Sequence, residues 1–519
     1  PHQYQIQMKD RDASTGDCRV DPNYSGSFGL KAWLSRDALD PGGAAPTVGG
    51  VALPASQPGA NNLSLSFSAG SATFTLDSTD VGKYGLNFRD DTSGFARDTG
   101  GNPRPIAGGS AALTLRPFGF RVSGVPLYTS PTSASPSTAG AGFGVTVQAV
   151  AWQAGDDANN DGIPDGHGDT TAGNDADLSD NAPVASFAWA TSLSAVAPIA
   201  PSGGTVGALG GATTVPQGSF AGGQASLAGV QYSEVGAFTL YMNANGYLGT
   251  SGADSFSRSP LIGRFIPGQF LFTTVTNACT AATTPFSYSG EPLQQVVVVA
   301  ANLSGGTTLN YTGSFAKDGT FSSPDTGVVV SQNIALTAVS FSNGQATLTG
   351  TGSSPTAPAL AFSNPETAPL DPAHLTLTDS DGVSGTAGGV RLVSGRLAID
   401  SAVGSELLDL KLPVRVEYYS GSTNGWIPNT DDACTVAGDL NTNFVANGVG
   451  TSVGATALSN GNGSLTLAAP GTTGYATVEL QGPYWLKFDW RAPSPALDFP
   501  QARASFGLYS GDRHNIYTH

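Results

Sequence analysis

Charged side chains are scarce in this sequence, with Asp, Glu, Lys and Arg making up 12% of 519 residues against about a quarter in ordinary globular proteins. The few charges are one-sided: 39 acidic against 22 basic residues give a net charge of −17, which repels phosphate backbones and anionic lipid. Nucleic acid is therefore not an expected partner. Long apolar runs are missing too. The longest, Val296 to Ala301, is far short of the ~20 residues of a membrane-spanning helix, so no span is expected in this chain. Cysteine is reduced to Cys18, Cys279 and Cys434, with no CxxC, which excludes a zinc knuckle or thioredoxin-like motif. At most one disulfide fits three thiols. Pairing Cys279 with Cys434 would tie neighbouring domains in an oxidising compartment and leave Cys18 for a partner; buried free thiols are the alternative. No charged and apolar leader opens the chain at Pro1, so a signal peptide is expected to have been removed or to lie outside it.

Helical periodicity is nearly absent. Windows with apolar residues at i, i+3, i+4 and i+7 that also escape Gly and Pro hardly occur. What is present is strand-like alternation, as in Leu63-Ser-Leu-Ser-Phe67, Ala72-Thr-Phe-Thr-Leu76 and Val414-Arg-Val-Glu-Tyr418, bounded by Gly, Pro, Asn or Asp. The fold class is all-β. Its length exceeds one core, and a phrase recurs at long intervals: Gly70-Ser-Ala-Thr-Phe74 then Asp80-Val-Gly-Lys-Tyr-Gly-Leu86, and Gly223-Gln-Ala-Ser-Leu227 then Glu234-Val-Gly-Ala-Phe-Thr-Leu240. Gly344-Gln-Ala-Thr-Leu348 repeats its first half, and Ser464-Leu-Thr-Leu467 with Gly474-Tyr-Ala-Thr-Val478 echoes both. A strand, a Gly-containing corner and an aromatic anchor suit the E to F corner of an immunoglobulin-like sandwich. Tandem immunoglobulin-like β-sandwich domains are expected at 1–115, 116–266 (carrying an acidic calcium-type loop), 267–396 and 397–519. Ser130 to Gly142 and Ala197 to Gly211 read as long loops within the second.

The sharpest local motif is D-x-N-x-D-G-I-x-D from Asp157. Asp157, Asn159, Asp161, the carbonyl of Ile163 and Asp165 place oxygens at alternate positions around a turn that Gly162 permits, the spacing of a calcium loop. Position twelve is Gly168 rather than Glu, and Pro164 argues against an exiting helix. Asp156 to Asp180 holds eight aspartates and no Lys or Arg, so Asp169, Asp175, Asp177 and Asp180 are additional candidate ligands, and a metal-free acidic loop of Asx-turns is the plain alternative. Asp10, Asp12 and Asp17, and Asp379 with Asp381, read as turns.

Catalytic arrangements are hard to find. His2, His167, His374, His514 and His519 form no HExxH, and Gly450-Thr-Ser-Val-Gly454 matches a nucleophile elbow only by letters, lacking the strand-turn-helix setting. No enzyme is expected. Tyr418, Tyr419, Trp426, Tyr484, Trp485 and Trp490 could stack a sugar, but packing suits strand-borne aromatics better.

Several phrases together resemble the MshQ family of MSHA biogenesis proteins and related large surface proteins of Gram-negative bacteria. They are Gly155-Asp-Asp-Ala-Asn-Asn-Asp-Gly162, Gly263-Arg-Phe-Ile-Pro267 before Phe270, Phe286-Ser-Tyr-Ser-Gly-Glu-Pro292, Asn310-Tyr-Thr-Gly-Ser-Phe-Ala-Lys317, Gly425-Trp426 with Asn429-Thr-Asp-Asp-Ala-Cys434, and Ala502-Arg-Ala-Ser-Phe-Gly-Leu-Tyr509. The resemblance covers most of the chain and is weakest near its start. It implies an exported adhesin or scaffold at a type IV pilus (fimbrium) or similar cell-surface assembly, secreted by a Gram-negative bacterium, with surface proteins as partners and no catalytic residues. The family's upstream signal peptide and concanavalin-like domain lie outside this sequence, which the resemblance makes a C-terminal portion. Two alternatives follow from the residues: a filament subunit that self-associates by strand addition through Tyr4 to Met8 or Phe506 to Tyr509, and a carbohydrate-binding module or glycan-active enzyme with a glycan receptor.

Overall fold

In a computed structural model, residues 2–507 are described except 12–13, 170, 172, 253, 333–340, 352–353 and 491–496. The protein is all-β: strands gather into pairs of facing sheets, and the described helices are single 3₁₀ turns. The reason is visible in any strand. In Leu63–Phe67 the leucines and Phe67 are buried while both serines are exposed, so a period of two gives one wet and one dry face. Two compact units result, Pro1–Ile266 and Pro267–His519.

In the first unit, one sandwich packs the sheet of His2–Gln7, Ser71–Asp77, Thr47–Val48 and Val51–Ala52 on that of Ile106–Gly109, Gly82–Asp90, Gly26–Arg36 and Leu63–Phe67. A second pairs Gly119–Ser123, Gly142–Val150, Gln224–Tyr232 and Leu209–Gly211 against a five-stranded sheet that ends at Ile266. Asp80 links the two: Oδ1 and Oδ2 accept from the Ser186 amide (3.1 Å) and hydroxyl (2.7 Å), while Lys83 Nζ donates to the Leu248 carbonyl at 3.0 Å.

The second unit repeats this plan. Gln269–Thr276, Gln295–Ala301 and Gln345–Thr349 face Ser287–Tyr288, Ser384–Val393, Leu370–Asp379 and Gly319–Ser322; then Gly395–Ile399, Leu410–Tyr419, Asn462–Leu467 and Val453–Ser459 face Ala402–Gly404, Gln501–Phe506, Gly474–Gln481 and Asn441–Asn447. The two sandwiches share a core in which Cys279, Phe286, Tyr288 and Val393 pack with Leu412, Val416 and Leu480. Cys279 and Cys434 are joined by a disulfide, Cα atoms 5.6 Å apart across 155 residues of sequence, and Cys18 is a free, exposed thiol.

One turn occurs in all four sandwiches. Ala69-Gly70, Gly222-Gly223, Asn343-Gly344 and Asn460-Gly461 each put two successive residues at φ between 47° and 77°, a type I′ turn that opens the strand following it. The glycine carbonyl then accepts from an amide at the edge of the core: Met8 (2.8 Å), Ala149 (2.9 Å), Ala300 (2.8 Å) and Val416 (2.8 Å) respectively. This equivalence puts His2–Gln7 in the place of Gly142–Val150, Gln295–Ala301 and Leu410–Tyr419.

The aromatic of the repeated phrase does not always anchor the core. Tyr84 and Phe238 stand two residues after their glycine and are buried, whereas Tyr475 directly follows Gly474 and is 42% exposed. A shift of one residue turns a side chain to the other face. Tyr475 lies outside, under the guanidinium of Arg503 at 3.9 Å.

Candidate functional site

The acidic segment runs between the strands Gly142–Val150 and Thr191–Ala200 as a loop that starts with the turn Ala154–Asp156. Its carboxylates bind the loop's own donors. Asp157, 2% exposed, accepts the Asp161 amide at Oδ1 (3.0 Å) and both the Gly162 amide (3.0 Å) and Trp152 Nε1 (2.9 Å) at Oδ2. Asp161 accepts from the Ile163 amide (2.8 Å) and from Asn159 Nδ2 (3.0 Å), and Asp165 Oδ2 accepts the Ala158 amide (2.9 Å). Gly162 takes φ 77°, as the turn requires, and its carbonyl accepts from Arg116 Nη2 at 2.7 Å.

Of the outer aspartates three behave alike, and Asp175 differs in that its buried Oδ1 has no hydrogen-bond partner among the described residues. Asp169 accepts from the Thr171 amide and Asn174 Nδ2, Asp177 from the Ser179 amide, and Asp180 from Gln153 Nε2. Amide donors hold the Asp169 and Asp177 carboxyls below the usual range, because a hydrogen bond to the charged form favours it. Among the described residues no three His, Cys, Asp or Glu side chains converge as a metal-holding group. Asp157, Asn159, Asp161, Ile163 and Asp165 are thus brought into one turn, in which the side-chain oxygens of Asp157, Asn159, Asp161 and Asp165 accept from backbone amides of the loop.

Two residues that the motif does not single out hold this loop. His167 is 2% exposed; Nδ1 accepts the Arg258 amide at 2.8 Å and Nε2 donates to the Ala176 carbonyl at 2.9 Å, the neutral tautomer with the proton on Nε2. Asp156, also buried, accepts from Asn181 Nδ2 at 2.9 Å. The only sequence signal for His167 is its place inside an otherwise acidic run.

The fourth sandwich gathers the aromatics around a cation. The Arg396 guanidinium lies 4.3 Å from the Trp426 ring centre, 4.6 Å from Trp490 and 4.9 Å from Phe488, and pairs with Glu417 at 2.7 Å. Stacked on a ring face, Arg gains cation–π attraction and covers the face a sugar would use. Trp485 packs on the core, Tyr419 stands edge-on to Trp426, and Tyr484 is 69% exposed. Elsewhere, Gly450 to Gly454 leads into the strand Val453–Ser459, so Ser452 has a strand after it and no helix. His374 pairs through Nδ1 with Asp325 at 3.0 Å. His514 and His519, and the Leu508 to Tyr509 end of the expected terminal strand, lie outside the described residues.

Family models for DUF6701 match three consecutive stretches: the second domain at 116–228, the third at 234–395 and the fourth at 393–519. The chain belongs to the DUF6701 family. No curated protein matches it. Among solved structures, domains 4 and 5 of the S-layer protein SbsC are 10% identical, covering 45% of this chain and 98% of theirs at TM-score 0.17. The titin I9–I11 tandem is 10% identical over 71% of this chain and 94% of its own at 0.22, and the protocadherin gamma B7 cadherin domains 1–4 are 9% identical over 92% of each at 0.20. Scores this low add nothing to what the sheets show. The described DUF6701 residues contain no helix long and apolar enough to cross a membrane.

Proposed function

We propose that this DUF6701 chain is an exported scaffold or adhesin of a Gram-negative cell surface, pilus-associated as its family resemblance implies, that acts by binding and carries no catalysis. The observation that supports this most is the Cys279–Cys434 disulfide, since such bridges persist in oxidising compartments and this one welds two sandwiches into a single unit. Asp80 and Ser186 do the same for the first two sandwiches. Stiff tandem sandwiches hold a binding face away from its anchor.

Surface labelling tests the reading. In intact cells expressing the full polypeptide, an impermeant biotin reagent should label it and added protease should cleave it, and deletion should reduce adherence. Labelling only after lysis would remove the surface role; full surface exposure with unchanged adherence would remove the adhesin role and leave the scaffold.

Calcium enters the proposal through the oxygen-only chemistry of the acidic loop. Asp157, Asn159, Asp161, the Ile163 carbonyl and Asp165 would hold it, after the four side chains turn from the amides they now accept from. A melt unchanged by calcium or by chelator would remove the metal.

A further inference from the structure

Between the third and fourth sandwiches, within the second unit, opens a pocket of about 140 Å³. Its floor is apolar. Phe286 and Val393 come from the third sandwich, 1% and 2% exposed, and Ile427 comes from the fourth, opposite Tyr418 in the strand register. Phe286 and Val393 belong to the core that the two sandwiches share, so the pocket is a gap at the rim of that core.

Two opposite charges stand on its walls, and neither is spent inside the protein. Arg391 lies on Ser384–Val393, where its amide donates to Asn277 Oδ1 at 3.0 Å; its guanidinium has no hydrogen bond or ion pair among the described residues. Asp431 and Asp432 are adjacent in sequence and have opposite fates. Asp432 is 0% exposed and accepts from Tyr288, Cys434 and Thr435, whereas the Asp431 carboxylate accepts from no described residue and lines the pocket. Asn429, 6% exposed, adds a third group: Nδ2 donates to the Tyr288 hydroxyl at 2.7 Å, and Oδ1 accepts from no described residue. Buried polar atoms are ordinarily hydrogen-bonded, so an amide oxygen left free at a pocket wall points to a donor from outside the chain.

We propose that this pocket binds a small α-amino acid by its head group, a carboxylate and an ammonium on one carbon. The carboxylate meets the Arg391 guanidinium, whose planar fork suits two parallel N–H···O bonds. The ammonium has only donors to offer, and it meets two acceptors, the Asp431 carboxylate and Asn429 Oδ1. Phe286, Val393 and Ile427 take the alkyl side chain. Charge decides the class: a plain anion would lie against Asp431 and a plain cation against Arg391, whereas a zwitterion matches both and carries no net charge toward a chain of −17. Size sets the limit. The pocket is well below the ~300 Å³ at which sites enclose larger ligands, so it takes an amino acid the size of alanine and excludes a large aromatic one. The inference goes beyond the surface reading and does not rest on it, since the purified chain binds the amino acid whether or not cells use the protein to adhere.

Titration calorimetry of the full chain tests this with alanine as the probe. Saturable one-to-one binding in the millimolar range or tighter is the expected result. N-acetylalanine keeps the carboxylate without the ammonium and alaninamide keeps the ammonium without the carboxylate, so each should bind about tenfold more weakly or worse, and tryptophan should not bind. Arg391→Gln and Asp431→Asn each remove one charge from a side chain with no partner among the described residues; melting should be unchanged while alanine affinity falls by about tenfold or more. No heat from alanine at concentrations well above millimolar would overturn the proposal, as would binding of either analogue or of tryptophan as tight as that of alanine, or full alanine affinity in both variants. The analogue series uses the unaltered chain, so the test does not depend on how the variants fold.

Discussion

Inside the second unit the Tyr288 phenol donates to Asp432 Oδ2 at 2.9 Å and accepts from Asn429 Nδ2 at 2.7 Å, so one hydroxyl bridges the third and fourth sandwiches. Asp432 is 0% exposed and its other oxygen accepts the Cys434 and Thr435 amides. Tyr288→Phe removes the only side-chain donor to this carboxylate among the described residues and takes away the acceptor of Asn429 Nδ2. A buried hydrogen bond to a charged group is worth ~2 kcal/mol, so calorimetry should show the second unit melting lower while the first is unmoved. An unchanged second unit would mean that the shared apolar core alone fixes the junction.

The disulfide beside it closes a loop of 155 residues, and loop-closure entropy puts its contribution at ~5 kcal/mol or less. Reductant should lower the melting of the second unit, and Cys279→Ser with Cys434→Ser should reproduce the reduced value and abolish the response to reductant. A wild-type melt indifferent to reductant would show that the bridge adds no stability.

Glu291 gives the same region a pH dependence. Desolvation raises its carboxyl from 4.5 to about 8, against the Tyr288 amide that donates to it, and nearby Asp432 pushes the same way as burial. A folded value above the unfolded one means stability that is full below pH 4.5 and lost as pH rises through about 8. The second unit should therefore be more stable at pH 5 than at pH 8, and Glu291→Gln should flatten that slope. An equal slope in the variant would assign the effect elsewhere, with the Asp379 carboxyl, also raised by burial, as the next group to replace.

The strand architecture was legible because alternation over five residues already separates a dry face from a wet one, as in Leu63–Phe67. The repeated phrase marked real corners, yet its fourth copy misled: a glycine one residue closer to the aromatic sends Tyr475 outward. Spacing flagged the acidic loop, but letters cannot say whether Asp157 turns to a cation or to the amides of Asp161 and Gly162. The terminal strand expected near Tyr4 to Met8 was legible in the same way, and it runs as His2–Gln7 along Ser71–Asp77.

The shared turn offers the sharpest test of the repeat, because its two glycines in the second sandwich differ in surroundings. Gly222 and Gly223 both take positive φ, 59° and 72°, so any side chain costs ~1 kcal/mol at either. A Cβ on Gly222 meets nothing within 4 Å, whereas one on Gly223 would overlap the Val184 carbonyl oxygen. Gly222→Ala should lower stability only by the conformational term. Gly223→Ala must also push the Gly223 and Val184 backbones apart, at the expense of the hydrogen bond from the Ala149 amide to the Gly223 carbonyl, adding ~2 kcal/mol or more. Equal losses from the two substitutions, measured by calorimetry of the first unit, would show that the close approach is not what keeps glycine at the second position. A comparable loss should follow from Gly344→Ala in the third sandwich, where a Cβ would overlap the Thr308 carbonyl oxygen.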